Sequence, residues 1–261
     1  MDSSKKRGIL QIANIVTPFL CFLITGIFSI FKSEALETFE SEGDSSLVDP
    51  IGFAFSIWFL IFFFLAIFLI YQSKDIFKSP QQKKSMLFID QVSIFFIAST
   101  IMATSWYLFW SYRIIWMSTL SMILYLIFII FAYVRLNINL EKRSREEYIS
   151  LVIPWSLYAG WVTAATIVSI TTFFESINFN KPPFLFSDEG WAVLVLIVVI
   201  MIYSMVLITR NDYIYAAVGI WVFLGIIFER LSARILVIEV IIVSVIGIII
   251  LCLLSVYKFI K

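Results

Sequence analysis

"DPIGFAFSIWFLIFFFLAIFLIYQ", residues 49–72, carries no charge after its first residue, and the next charged side chain is Lys74. A bilayer's hydrocarbon core, about 30 Å thick, takes roughly 20 mainly apolar residues of α-helix rising about 1.5 Å each. The stretch from 50 to 71 meets that length. Asp49-Pro50 predicts an N-cap followed by proline at the first helical position, where a missing N–H costs nothing. Trp58 then lies about 12 Å into the helix, deep in hydrocarbon.

The rest of the chain repeats this chemistry. Of its 261 residues, 61% are hydrophobic and 14% charged, with mean hydropathy +0.99. A soluble domain is about 45–50% apolar and about 25% charged, so this is an integral membrane protein. Runs that approach spanning length cover 8–31, 50–71, 86–110, 114–136, 149–174, 190–209, 213–228 and 235–257. The seventh is short, and if it failed to cross, the carboxyl terminus would change sides. The expectation is an all-α bundle of about eight transmembrane helices in a single polytopic domain, 1–261. The basic start of the chain resembles a signal peptide, but its apolar run exceeds the usual length of about 7–15 residues and no A-x-A site follows. It reads as a retained first helix.

Charge orients the bundle. With a cytoplasmic amino terminus, the inner segments hold Lys5, Lys6, Arg7, Lys74, Lys78, Lys83, Lys84, Arg135, Lys142, Arg143, Arg145, Arg210, Lys258 and Lys261. Only Lys32, Arg113, Lys181, Arg230 and Arg234 fall outside, as the positive-inside rule requires. Both termini are therefore expected in the cytoplasm. The connection 32–49 is acidic and external, while 72–85 and 137–148 are basic or mixed and internal. The connection 175–189, with Pro182 and Pro183, is placed over the outer face.

Several function classes drop out. The chain has no histidine, the commonest general base and metal ligand. Cys21 and Cys252 lie in apolar runs and read as packing residues. No phosphate loop, nucleophile elbow or metal motif is present, so no catalysis and no cofactor are expected. A net charge of +1 gives nucleic acid no purchase. Asp90 and Glu239, the carboxylates within the runs, lie near interfaces where they can pair or snorkel. The ending "LLSVYKFIK" loosely fits a sterol pattern through Leu254, Tyr257 and Lys261, but reads better as an interfacial anchor.

Pro18 is the one proline deep inside a run; it frees the carbonyl of Asn14 and predicts a bend in the first helix. Pro154 is expected in the first turns of the fifth. There Ser156, Gly160 and Thr163 form a small-residue stripe suited to close helix packing. Trp116 and Trp191 sit at expected interfaces, where tryptophan anchors. Trp58, Trp161 and Trp221 are near mid-span, and an indole N–H in hydrocarbon needs a partner. Those rings are expected to face protein or a cavity.

These motifs carry a resemblance. Residues 49–72 resemble the second helix of the TspO/MBR family (tryptophan-rich sensory proteins and translocator proteins), where a proline at the membrane edge precedes an aromatic helix. "TSWYLFWSYRIIWMSTLSMILYL" is similar to that family's third and fourth helices, patterned N-x-x-W-x-x-x-F-F. "IPWSLYAGWVTAATIVS" is similar to its fifth, patterned P-Y-x-x-W-x-x-x-A-x-x-x-N. A TspO-like five-helix core spans 8–174, and three additional helices at 190–257 resemble those of a larger branch of related proteins. The sequence departs from the pattern at Phe62, Ala103 and Ser169, which replace polar family residues.

The resemblance implies an aromatic pocket with the loop after the first helix as its lid. Phe55, Trp58, Trp106, Trp110 and Trp161 are the implied wall residues. It also implies a flat hydrophobic ligand, such as a tetrapyrrole (porphyrin or haem), which the protein binds and senses or moves. Partners would be the lipid bilayer, that ligand and a further copy in a homo-oligomer. A secondary transporter of a small solute and a membrane scaffold subunit are the alternatives.

Overall fold

Inside a bilayer every backbone N–H and C=O must find its partner within the protein, and a helix provides one from its own turns. The computed structural model describes residues 3–31, 46–78, 86–179, 187–234 and 236–260, and among these there is no strand. The chain begins with α1, Ser3–Phe31. A 3-10 turn, Gly52–Ser56, leads into α2, Ile57–Gln72. Then come α3, Leu87–Val92; α4, Phe95–Ser111; and α5, Ile115–Arg135. A turn at Arg145–Glu147 and a wide π turn at Tyr148–Val152 open α6, Ile153–Ser176. The last three are α7, Asp188–Arg210; α8, Tyr213–Ser232; and α9, Ile238–Ile260.

Seven helical stretches among the described residues are long and apolar enough to cross a membrane. The doubtful 213–228 run is one of them, since its helix extends to 20 residues. The run 86–110 is not, because it breaks. Ser93 has a φ of 48°, which separates α3 from the 17-residue α4. The long apolar side chains of α1 and α9, Phe19, Phe22 and Leu253 among them, are exposed. In a membrane they face lipid.

One proline expectation is corrected and another is extended. Asp49 is not an N-cap: the helix starts at Gly52, Ile51 occupies the cap position without a side-chain bond, and its N–H donates to the Gly225 carbonyl at 3.1 Å. Pro154 is the second residue of α6, in its first turn as expected, but further helical turns precede it. The helical turns begin at Arg145 with a reciprocal capping box, Ser144 Oγ accepting from the Glu147 N–H and the Glu147 carboxylate accepting from the Ser144 N–H. Pro154 offers no N–H to the carbonyl four residues back, and the π turn just before it absorbs the mismatch.

The chain divides into two compact units: residues 1–40 with 61–155, and residues 41–60 with 156–261. In the first, α4 packs on α5 and on α1. Trp155 is fully buried there, edge-on to Phe68 and Phe96 at 5.7 and 5.9 Å. In the second, α7, α8 and α9 pack on one another and the 3-10 turn rests on α8. Close approach is set by small residues. A Cβ at Gly160 would meet Val218 at 3.1 Å, and one at Gly247 would meet Phe223 at 2.8 Å. Asp212 caps α8 through the Tyr215 N–H at 3.0 Å and accepts the Ser156 hydroxyl at 2.6 Å. Tyr203 donates to the Gly160 carbonyl at 2.8 Å. The expected small-residue stripe is thus a packing seam stitched by hydroxyl groups.

Candidate ligand site

Residues three apart share a helix face. Phe55 and Trp58 are so related across the start of α2, and Tyr158 and Trp161 on α6. Within the second unit these four rings meet edge to face. Phe55 lies 5.5 Å from Trp161, and Trp58 lies 6.3 Å from Trp161 and 6.4 Å from Tyr158. Such geometry sets the positive edge of one ring against the negative face of another. Trp161 is buried, Trp58 half-buried and Phe55 exposed, so the group runs from an interior ring to an accessible one. The indole N–H of Trp161 is buried without an acceptor.

The floor beside this group is well satisfied. Trp221 donates its indole N–H to the Ala54 carbonyl at 2.9 Å and takes the edge of Phe53 at 5.5 Å. Gly225 lets the turn seat, since a Cβ there would lie 2.9 Å from both Pro50 and Ala54. The expectation that Trp58, Trp161 and Trp221 face protein therefore holds for all three.

Trp106 and Trp110 belong to the first unit. They stack on each other with centroids 6.3 Å apart and planes 27° apart. The indole N–H of Trp110 is buried without an acceptor. The five expected wall residues thus fall into a trio and a pair, each coherent in its own unit. Trp116 is 58% exposed, as an interfacial anchor should be. Residues 32–45 of the expected lid, and Pro182 and Pro183, lie outside the described residues.

Asp49 stands where the connection from α1 joins the second unit. One of its carboxyl oxygens is buried without a hydrogen-bond partner. Burial pushes its pKa up to about 7, helped by the charge of Glu175; the Ser46 backbone and Arg230 oppose the rise, and Glu229 adds to it. Arg230 itself is buried, its one ion pair among the described residues a 3.7 Å contact with Glu229. Sequence reading missed both, because it took Asp49 as a cap and Arg230 as an exposed loop charge.

The intramembrane acids divide. Asp90 pairs with Arg7 at 2.6 Å, and the Asp90 carbonyl accepts from Arg135 at 3.0 Å, a structural clasp as expected. Glu239 lines a cavity of about 410 Å³ with Glu189, Ser187 and Leu236. None of the aromatic candidates lines it. Tyr158 and Phe53 were overlooked, although the spacing of Tyr158 from Trp161 was a usable signal.

With this geometry in place the comparisons decide the family. The family model described as TSPO-like protein matches residues 11–257. The chain belongs to the TSPO-like family. No curated protein and no solved structure matches it. Since the match reaches residue 257, the TSPO-like assignment takes in α7, α8 and α9 as well as the helices before them. This TSPO-like chain is accordingly an all-α, multi-pass integral membrane protein whose immediate environment is the lipid bilayer.

Proposed function

We infer that this TSPO-like protein binds a flat hydrophobic ligand of the tetrapyrrole class, such as protoporphyrin or haem, against Phe55, Trp58 and Trp161, and that it senses or moves that ligand without catalysing a reaction. The observation that carries this reading is the Trp161 indole. Its N–H is buried with no acceptor while its ring is flanked by Phe55 and Trp58. An unsatisfied buried donor costs about 1–3 kcal/mol, and a ligand with ring nitrogens or carboxylates supplies the acceptor. Flat apolar ligands favour aromatic walls with a few polar groups. Trp106 and Trp110 form a second stacked aromatic surface of the same kind. Both termini belong in the cytoplasm on this reading, in which α3 and α4 together make an eighth crossing, because the basic segments are concentrated on that side.

Titration of the protein in nanodiscs with protoporphyrin IX, followed by tryptophan fluorescence, tests the reading. Saturable quenching is expected, with affinity falling about tenfold in Trp58→Phe or Trp161→Phe, a loss of about 1.4 kcal/mol. The second substitution removes the N–H while keeping a ring. Quenching that is linear in ligand and indifferent to both substitutions would leave the family fold without this ligand.

A further inference from the structure

At the amino-terminal end of α1, within the first unit, three polar residues are buried where the surrounding sequence is apolar. Gln11 is 1% exposed, Asn14 0% and Asp75 3%. Gln11 and Asn14 share a face of α1, three residues apart. The Gln11 amide nitrogen donates both to the Gln72 carbonyl at 2.6 Å and to the Asp75 carboxylate at 2.8 Å. The Asn14 amide nitrogen donates to Gln72 Oε1 at 3.1 Å. These bonds fix which end of each amide is nitrogen. They leave Gln11 Oε1 and Asn14 Oδ1 buried with no donor among the described residues.

The charge is unbalanced as well. Among the described residues Asp75 has no ion-pair partner: Arg7 pairs with Asp90, Lys74 with Glu146, and Lys78 meets Asp75 through its backbone N–H, which donates to the Asp75 carbonyl at 3.0 Å. A buried carboxylate whose side-chain donor, among the described residues, is a neutral amide is expensive unless a cation accompanies it. Pro18 has no N–H to offer the Asn14 carbonyl, which frees that oxygen from its helical bond. Carbonyl oxygens freed from helical bonding, joined by side-chain oxygens, are the donor set that holds sodium ions in membrane helices.

The set also excludes other metals. Among the described residues no group of three or more His, Cys, Asp or Glu could hold an ion, so neither a soft metal nor a highly charged one finds its ligands. One negative charge with neutral oxygens suits a small monovalent cation. We propose that Gln11, Asn14 and Asp75 form a site for a small monovalent cation, sodium serving as the probe. The site is independent of the aromatic group and stands or falls without it.

Two measurements on the full-length protein in nanodiscs test it. The first is binding of radioactive sodium, with lithium, potassium and choline as competitors. The second is the unfolding midpoint on replacing N-methylglucamine chloride with sodium chloride at constant ionic strength. Saturable sodium binding, displaced by lithium but not by choline, is expected. It should be weakened at least tenfold in Asp75→Asn and in Asn14→Leu, with a rise of about 4 °C or more in the wild-type midpoint. Should Asp75→Asn fail to fold, Asn14→Leu and the wild-type midpoint still decide the matter. The absence of saturable binding of any of the three alkali ions would overturn the site and assign the two amide oxygens to ordered water. Binding that survives both substitutions unchanged would place the ion elsewhere and overturn it equally.

Discussion

Gly219 has no room for a side chain. A Cβ there would lie 2.7 Å from the Tyr203 ring and 3.1 Å from Leu251. Tyr203 cannot yield, being buried, bonded to Gly160 and packed on Tyr215 at 5.0 Å. Gly219→Ala should therefore destabilise the protein by about 1–3 kcal/mol, read as a lower thermal midpoint in detergent. Gly26→Ala is the contrast: nothing lies within 4 Å of its Cβ position. It should be neutral or stabilising by up to about 1 kcal/mol through helix propensity. Asp49 gives a pH prediction. Its carboxyl keeps its proton up to about pH 7 in the folded protein but only to 3.8 ordinarily. The stability it contributes is thus fully present below the lower value and lost as pH rises through the higher one. Each unit of the gap is worth about 1.4 kcal/mol at most, less here because the side chain is only half-buried. Asp49→Asn should flatten the fall in stability between about pH 4 and pH 7; an unaltered slope would exclude Asp49 as its source.

At the scale of the element, the turn between α4 and α5 is made without glycine or proline. Arg113 takes it with a φ of 58°, a left-handed conformation that costs a side-chain-bearing residue about 1 kcal/mol. Arg113→Gly should recover about 0.5–1 kcal/mol, seen as a higher unfolding midpoint; a lower one would mean that the guanidinium contributes more than the strain costs. Sequence reading located this turn because hydropathy falls at Tyr112 and Arg113. It could not locate the break at Ser93, since the flanking "IDQVS" is too short and too weakly polar to interrupt a window about 20 residues wide. The helical turns before Pro154 were hidden for a related reason. The capped turn before it is charged, Arg145 to Glu147, and charge reads as loop.

For the whole molecule, the class and seven of the eight expected spans were legible because the bilayer imposes length and composition on every crossing segment. Phe55, Trp58 and Trp161 were named through family resemblance alone, and the spacing of three that brings Tyr158 beside Trp161 went unused. The polar group around Gln11 and Asn14 was not legible. Uncharged amides in an apolar run disturb neither hydropathy nor charge counts, and Asp75 was absorbed into a connection read as basic. Nor could the sequence show that residues 46–60 belong with the carboxyl-terminal helices, because that depends on contacts remote along the chain.

That last arrangement has a consequence for the order of synthesis. The Ala54 carbonyl and the indole that binds it are 167 residues apart in the chain. At about 5–20 residues per second, the ribosome needs roughly 10–30 s to travel between them. Throughout that interval the Pro50–Ala54 turn has emerged while Trp221 and Gly225 do not yet exist. The start of α2 must therefore wait beside the insertion machinery in some provisional form, and it reaches its final seat only after α8 has been delivered.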